Sequence, residues 1–89
     1  GALTAFRKDL EISERLARLD PANAGWQADV AVSCWKLSRL RGRGIADREV
    51  IALLTRGLVV LEHLARDGRL NAGQKGWAQA FRDELAKLE

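Results

Sequence analysis

One segment of this 89-residue chain occurs twice, and the doubling constrains its architecture more than any single motif. Leu10, Glu11, Ile12, Ser13, Glu14, Arg15, Leu16, Ala17 and Arg18 lead on to Asn23, Ala24, Gly25 and Trp26. Leu58, Val59, Val60, Leu61, Glu62, His63, Leu64, Ala65 and Arg66 lead on to Asn71, Ala72, Gly73 and then Trp77. The copies stand 48 residues apart from Leu10 and Leu58 to Gly25 and Gly73, and 51 apart at the tryptophans. Self-similarity at such a period marks stacked supersecondary units, each burying its apolar face on a neighbour. Stacked units present extended surfaces to partners more readily than enclosed pockets for chemistry.

Between the turn signals the apolar residues follow a helical period. Leu3, Phe6, Leu10, Ile12, Leu16 and Leu19 predict a first helix over roughly 2–19. Asp20 and Pro21 close it and open the next, since proline disfavours helical geometry in the residue before it and suits the first helical position. Asp20 is the expected N-cap of a second helix over 21–41, with Trp26, Val30, Cys34 and Leu37 on one stripe. Arg41, Gly42, Arg43 and Gly44 stop it, glycine supplying the left-handed geometry a helix end needs. The third helix, 46–67, carries Val50, Ile51, Leu53, Leu54, Leu58, Val59, Leu61 and Leu64 on more than one face, which predicts neighbours on two sides. The fourth, 72–88, follows Asn71 and Gln74, a relative of the capping box. Its Trp77, Phe81, Leu85 and Leu88 repeat the spacing of the stripe on the second helix. No alternating strand pattern competes, so the expected fold is a single all-α domain of four antiparallel helices over residues 1–89.

Composition narrows the function. Fifteen basic residues face 12 acidic ones, for a net charge of +3. Glu11–Arg15, Glu14–Arg18, Glu62–Arg66 and Asp83–Lys87 are acid-first pairs four apart, the spacing of a solvated helix face, which leaves little unpaired charge for phosphates. The most apolar stretch, 51–64, is broken by Arg56, Glu62 and His63 and falls short of the ~20 apolar residues a membrane span needs. Arg7, Lys8 and Asp9 precede any run that would read as a signal peptide. Cys34, the one cysteine, has no partner for an internal disulfide, so a cytoplasmic home is expected.

Chemistry finds no constellation to work with. His63 and Cys34 are single residues far apart in sequence, and no acid-rich cluster has ligand spacing, so no metal or cofactor is expected. His63 reads as a helix-surface residue and Cys34, between Val30 and Leu37, as a core thiol. Gly42 and Gly44 lack the flanking strand and lysine of a phosphate cradle. Asp83 and Glu84 are adjacent and so face different ways, and no catalytic residue is named.

Several runs resemble a known family. Ala2 to Ile12, with Ala2 and Phe6 at its small and aromatic packing positions, resembles the second helix of a tetratricopeptide repeat. Glu14 to Gln27, with the turn Asp20, Pro21, Ala22, Asn23, resembles an extended bacterial variety of that repeat. Ser33 to Ser38 falls where the next first helix begins its packing motif, Leu37 matching the large aliphatic position. Ser38 stands where the family prefers glycine, Asp9 and Gly57 where it prefers alanine, and Leu54 where it has an aromatic residue. The last helix keeps the register but little of the motif, as a capping helix does.

The resemblance implies that residues 1–42 supply the second helix of one repeat and the first of the next, and 43–89 a long second helix and a cap. The chain would then be the carboxyl-terminal part of a larger repeat protein, a scaffold for a protein or peptide partner or for another part of the parent chain. First helices line the concave groove of that family, which directs Val32, Trp35 and Arg39 toward a partner, with Arg39 and Arg43 reading acidic groups; the alternative is that Trp35 packs against the first helix or a missing neighbour. A missing first helix would leave Leu3, Phe6 and Leu10 uncovered as a face for self-association into a homo-oligomer. Two rival readings are a purely structural solenoid cap and a basic helical nucleic-acid-binding module.

Overall fold

The computed structural model describes residues 1–88 and has four helices and no strand among them: α1 (Ala2–Leu19), α2 (Ala24–Ser38), α3 (Asp47–Arg66) and α4 (Trp77–Lys87). Named contacts fix their directions. The Ser13 and Ser33 hydroxyls lie 3.2 Å apart, Gln27 Nε2 donates to the Ala17 carbonyl at 3.1 Å, and Leu3 packs against Gly44 beyond the end of α2. Rising numbers on α1 meet falling numbers on α2, so the two are antiparallel. Arg7 pairs with Glu49, 42 residues on, and Glu14 pairs with Arg56 at the same separation, so α1 and α3 run parallel, linked by ion pairs two turns apart. Glu62 meets Arg82 while Val50 and Leu54 share a cleft with Glu84 and Leu88, which turns α4 antiparallel to α3.

Helix α2 is the centre of the packing. It buries Ala28, Val30, Ala31, Ser33, Cys34, Leu37 and Ser38, and the small residues among them let α1 and α3 approach from two sides. Being flanked on two sides, expected of α3, therefore holds for α2 as well. Cys34, Leu37, Ile45, Leu54, Leu61 and Leu64 are fully buried. Ile45, in the α2–α3 connection, follows Gly44, whose φ of +110° and contact with Leu3 leave no room for a side chain. No helix among the described residues is long and apolar enough to cross a membrane.

Three expectations are corrected. Helix α2 starts at Ala24, not Pro21, and its N-cap is Asn23, whose side chain accepts the Trp26 N–H at 3.0 Å. Pro21 and Ala22 instead form a turn closed by the Asn23 N–H on the Asp20 carbonyl, leaving Asp20 outside the helix. Helix α4 starts at Trp77, after a separate turn in which Asn71 accepts from the Gln74 N–H (3.0 Å) and Gln74 accepts from the Asn71 N–H (3.1 Å). That additional turn is the three-residue difference between the two offsets of the doubled segment. Both asparagines cap an amide three residues on, but only Asn23 caps a helix directly. Asn23→Ala should therefore cost about 1 kcal/mol, with Asn71→Ala costing less; thermal melting of the two variants checks the order.

The third correction concerns α1. Leu10 and Ala17 are buried, Leu3 and Phe6 are half-buried against the core, and Ser13 lies on the same side. Leu3, Phe6 and Leu10 thus form the inward stripe of the helix, in which Leu10 is covered, against expectation, and Leu3 and Phe6 remain partly uncovered. Leu19 (73% exposed) and Ile12 (44%) point outward instead.

Charge pairing also departs from the sequence pattern. Glu11–Arg15 forms within α1 at 3.4 Å, but Glu14 turns to Arg56, Glu62 to Arg82, and Lys87 takes Glu84. A carboxylate between two helices has a cation on the neighbouring helix within reach, and that partner displaces the one four residues on. Arg41 grips Asp47 with two bonds (2.6 and 2.9 Å) across the α2–α3 turn, and Arg7 grips Glu49 (2.7 and 3.2 Å). Hydrogen bonds from these guanidinium groups hold both carboxyls below their ordinary values.

Candidate functional site

An open apolar groove of about 340 Å³ runs between α2 and α4, lined by Val32 and Trp35 from one helix and Trp77, Ala80 and Phe81 from the other. Its floor depends on a glycine in α3. The Phe81 ring lies against the backbone of Gly57, where the Cβ of any other residue would fall on the ring. This close approach explains why a glycine stands inside the apolar helix α3. Phe81 is only 3% exposed, and its ring centroid sits 5.1 Å from that of Trp35, tilted by 40°. Such tilted aromatic pairs add to the burial of their area.

Helix spacing builds the rim. Trp35 lies one residue, about 100° round the helix, from the fully buried Cys34, so its ring turns from the core toward α4 and is half-buried. Arg39, four residues on, lies on the same face with its guanidinium carbon 5.8 Å from the Trp35 ring centroid, a cation–π arrangement. The Ser38 hydroxyl donates to the Trp35 carbonyl at 2.6 Å and so ties down the last turn of α2.

Of the residues the sequence directs to a partner surface, Val32 and Trp35 line the groove, while Arg39 stands over Trp35 and lines a neighbouring cleft that also holds Glu84. Arg43 does not line the groove. It is exposed in the turn after α2, its N–H on the Leu40 carbonyl at 2.8 Å. Trp77 and Phe81 belong to the stripe Trp77, Phe81, Leu85 and Leu88 expected of the last helix, and their place opposite Trp35, with Ala80 between them, follows from the seat of Phe81 on Gly57. The one sequence signal for it was the unusual glycine inside an apolar helix.

Reactive groups lie elsewhere. Cys34 is completely enclosed, and burial pushes its thiol up to about 11, which suppresses the thiolate. His63 is exposed on α3 with Nε2 3.5 Å from the Asp67 carboxylate. Among the described residues no three His, Cys, Asp or Glu side chains are grouped to hold a metal ion. A second cleft, of about 420 Å³, lies beside α1 and α3, but the Glu14–Arg56 ion pair lines it, so it lacks the continuous apolar wall of the α2–α4 groove. Comparison of the chain with protein-family models, characterised proteins and solved structures returned no match.

Proposed function

We propose that this protein is a protein–protein interaction module, a tetratricopeptide-like scaffold unit whose partner docks between α2 and α4. The observation that carries the reading is the convergence of Trp35, Trp77 and Phe81, three of the chain's five aromatic residues, on one open apolar groove. Binding energy concentrates where a few large aromatic and arginine side chains surround a well-packed pocket. Docking of a helix or an extended segment would bury an apolar anchor against Trp35. In this reading the chain is no enzyme, needs no cofactor, and serves as part of a larger cytoplasmic bacterial repeat protein.

The test is selection of random dodecapeptides, displayed on phage, against the 89-residue chain. Ala80→Glu fills the groove from a half-buried helix position without removing a core side chain, and its melting temperature should stay near that of the parent. Selected peptides should bind the parent and lose about tenfold or more in affinity for the variant. Failure to enrich any peptide, or peptides indifferent to Ala80→Glu, would reject the groove and leave the solenoid cap as the better reading.

A further inference from the structure

We infer that the groove takes an acidic partner: an internal chain segment that sets a large apolar side chain between α2 and α4 and carboxylates beside it against Arg39 and Lys36. This rests on the reading of the groove as a docking site. The warrant is charge complementarity at one end of an apolar slot. The Arg39 guanidinium carbon lies over the Trp35 ring, 5.8 Å from its centroid, and the group carries five N–H donors that can fork onto a carboxylate. No carboxylate among the described residues lies within ion-pair distance of it.

Glu84 lines a cleft with Arg39 but pairs with Lys87 and not with the arginine. Asp83 accepts from the Gln79 amide at 2.9 Å and Glu84 from the Lys87 ammonium at 3.2 Å. Lys36, exposed on α2, stands four residues after Val32 and three before Arg39, spacings that share one side of a helix. Asp29, also exposed on α2, lies two turns back from Lys36, so the cations of this helix gather toward the end where α2 stops. From Lys36 to Arg43 the chain carries four cations, of which only Arg41 has a carboxylate partner among the described residues, Asp47. A single terminal carboxylate would use one of the three others; a run of acidic side chains would use several.

The composition of the selected dodecapeptides reads this out. Peptides enriched on the parent chain should place Asp or Glu next to Leu, Phe or Trp, and that bias should fade when the same library is selected on the Lys36→Gln, Arg39→Gln double variant. For one synthetic selected peptide, changing its acids to the amides should weaken binding to the parent about tenfold and leave binding to the double variant nearly unchanged. Enriched peptides with no acidic bias, or an amide peptide that binds the parent equally well, would overturn the inference while leaving the groove reading in place. Absence of any enriched peptide would overturn both. Displacement of the selected peptide by a dT dodecamer at physiological salt would also overturn it, identifying the cationic rim as a nucleic-acid surface.

Discussion

Phe81→Ala should destabilise the protein by about 3–5 kcal/mol, the range for deleting a buried aromatic ring. Phe81 is the one fully buried large side chain of α4, and it touches both Gly57 on α3 and Trp35 on α2. Its loss opens a cavity where three helices meet and leaves α4 anchored by the half-buried Trp77, Leu85 and Leu88. Urea unfolding followed by circular dichroism gives the free energy, and tryptophan fluorescence should shift to the red as Trp35 becomes wetter. If the change left stability within 1 kcal/mol of the parent, α4 would be held by something other than this seat.

Gly57→Ala is the second large effect, and its sign opposes local propensity. In a helix interior alanine is ordinarily about 1 kcal/mol better than glycine. At Gly57 the added Cβ would fall on the Phe81 ring, which Trp35 holds on another side, so the ring cannot yield without disturbing the pair. Overpacking of this kind costs about 1–3 kcal/mol, and a net destabilisation is expected. The two positions should be strongly coupled, because removing the ring removes the clash. Adding Gly57→Ala to Phe81→Ala should cost little or even stabilise; additive losses would deny the contact.

Much of the fold was legible in the sequence. Four helices, their order and the stop at Asp67 and Gly68 follow from periodicity and turn chemistry. The errors have physical causes. On α1, two apolar stripes compete, and the buried one includes Ser13 and Ala17 because close approach to α2 favours small side chains over Leu16 and Leu19. Asp20 and Asn23 are both plausible caps by residue type; the turn through Pro21 and Ala22 decides for Asn23. Glu14 and Glu62 have cations four residues ahead, and only the packed helices reveal better partners in Arg56 and Arg82.

The groove divides in the same way. Val32, Trp35 and Arg39 could be placed together from helix spacing alone, since three- and four-residue steps share a face. Their opposite wall could not, because it depends on a contact between Gly57 and Phe81, residues on different helices with no local signature of proximity. The doubled segment likewise placed Asn23 and Asn71 in equivalent positions, but it showed neither that Asn23 is the cap of α2 nor the additional turn that delays α4 in the second copy.

The three tryptophans supply the most direct test of the central claim, that the protein meets its partner between α2 and α4. Trp35 and Trp77 line the groove; Trp26 lies on α2 nine residues before Trp35, about 13 Å along the helix. Each indole N–H gives its own signal in a ¹H–¹⁵N correlation spectrum, assignable with single Trp→Phe variants. Titration with a selected peptide should move the Trp35 and Trp77 signals together and leave Trp26 in place. Movement of Trp26 with the other two unchanged would put the partner on a different face and contradict the account.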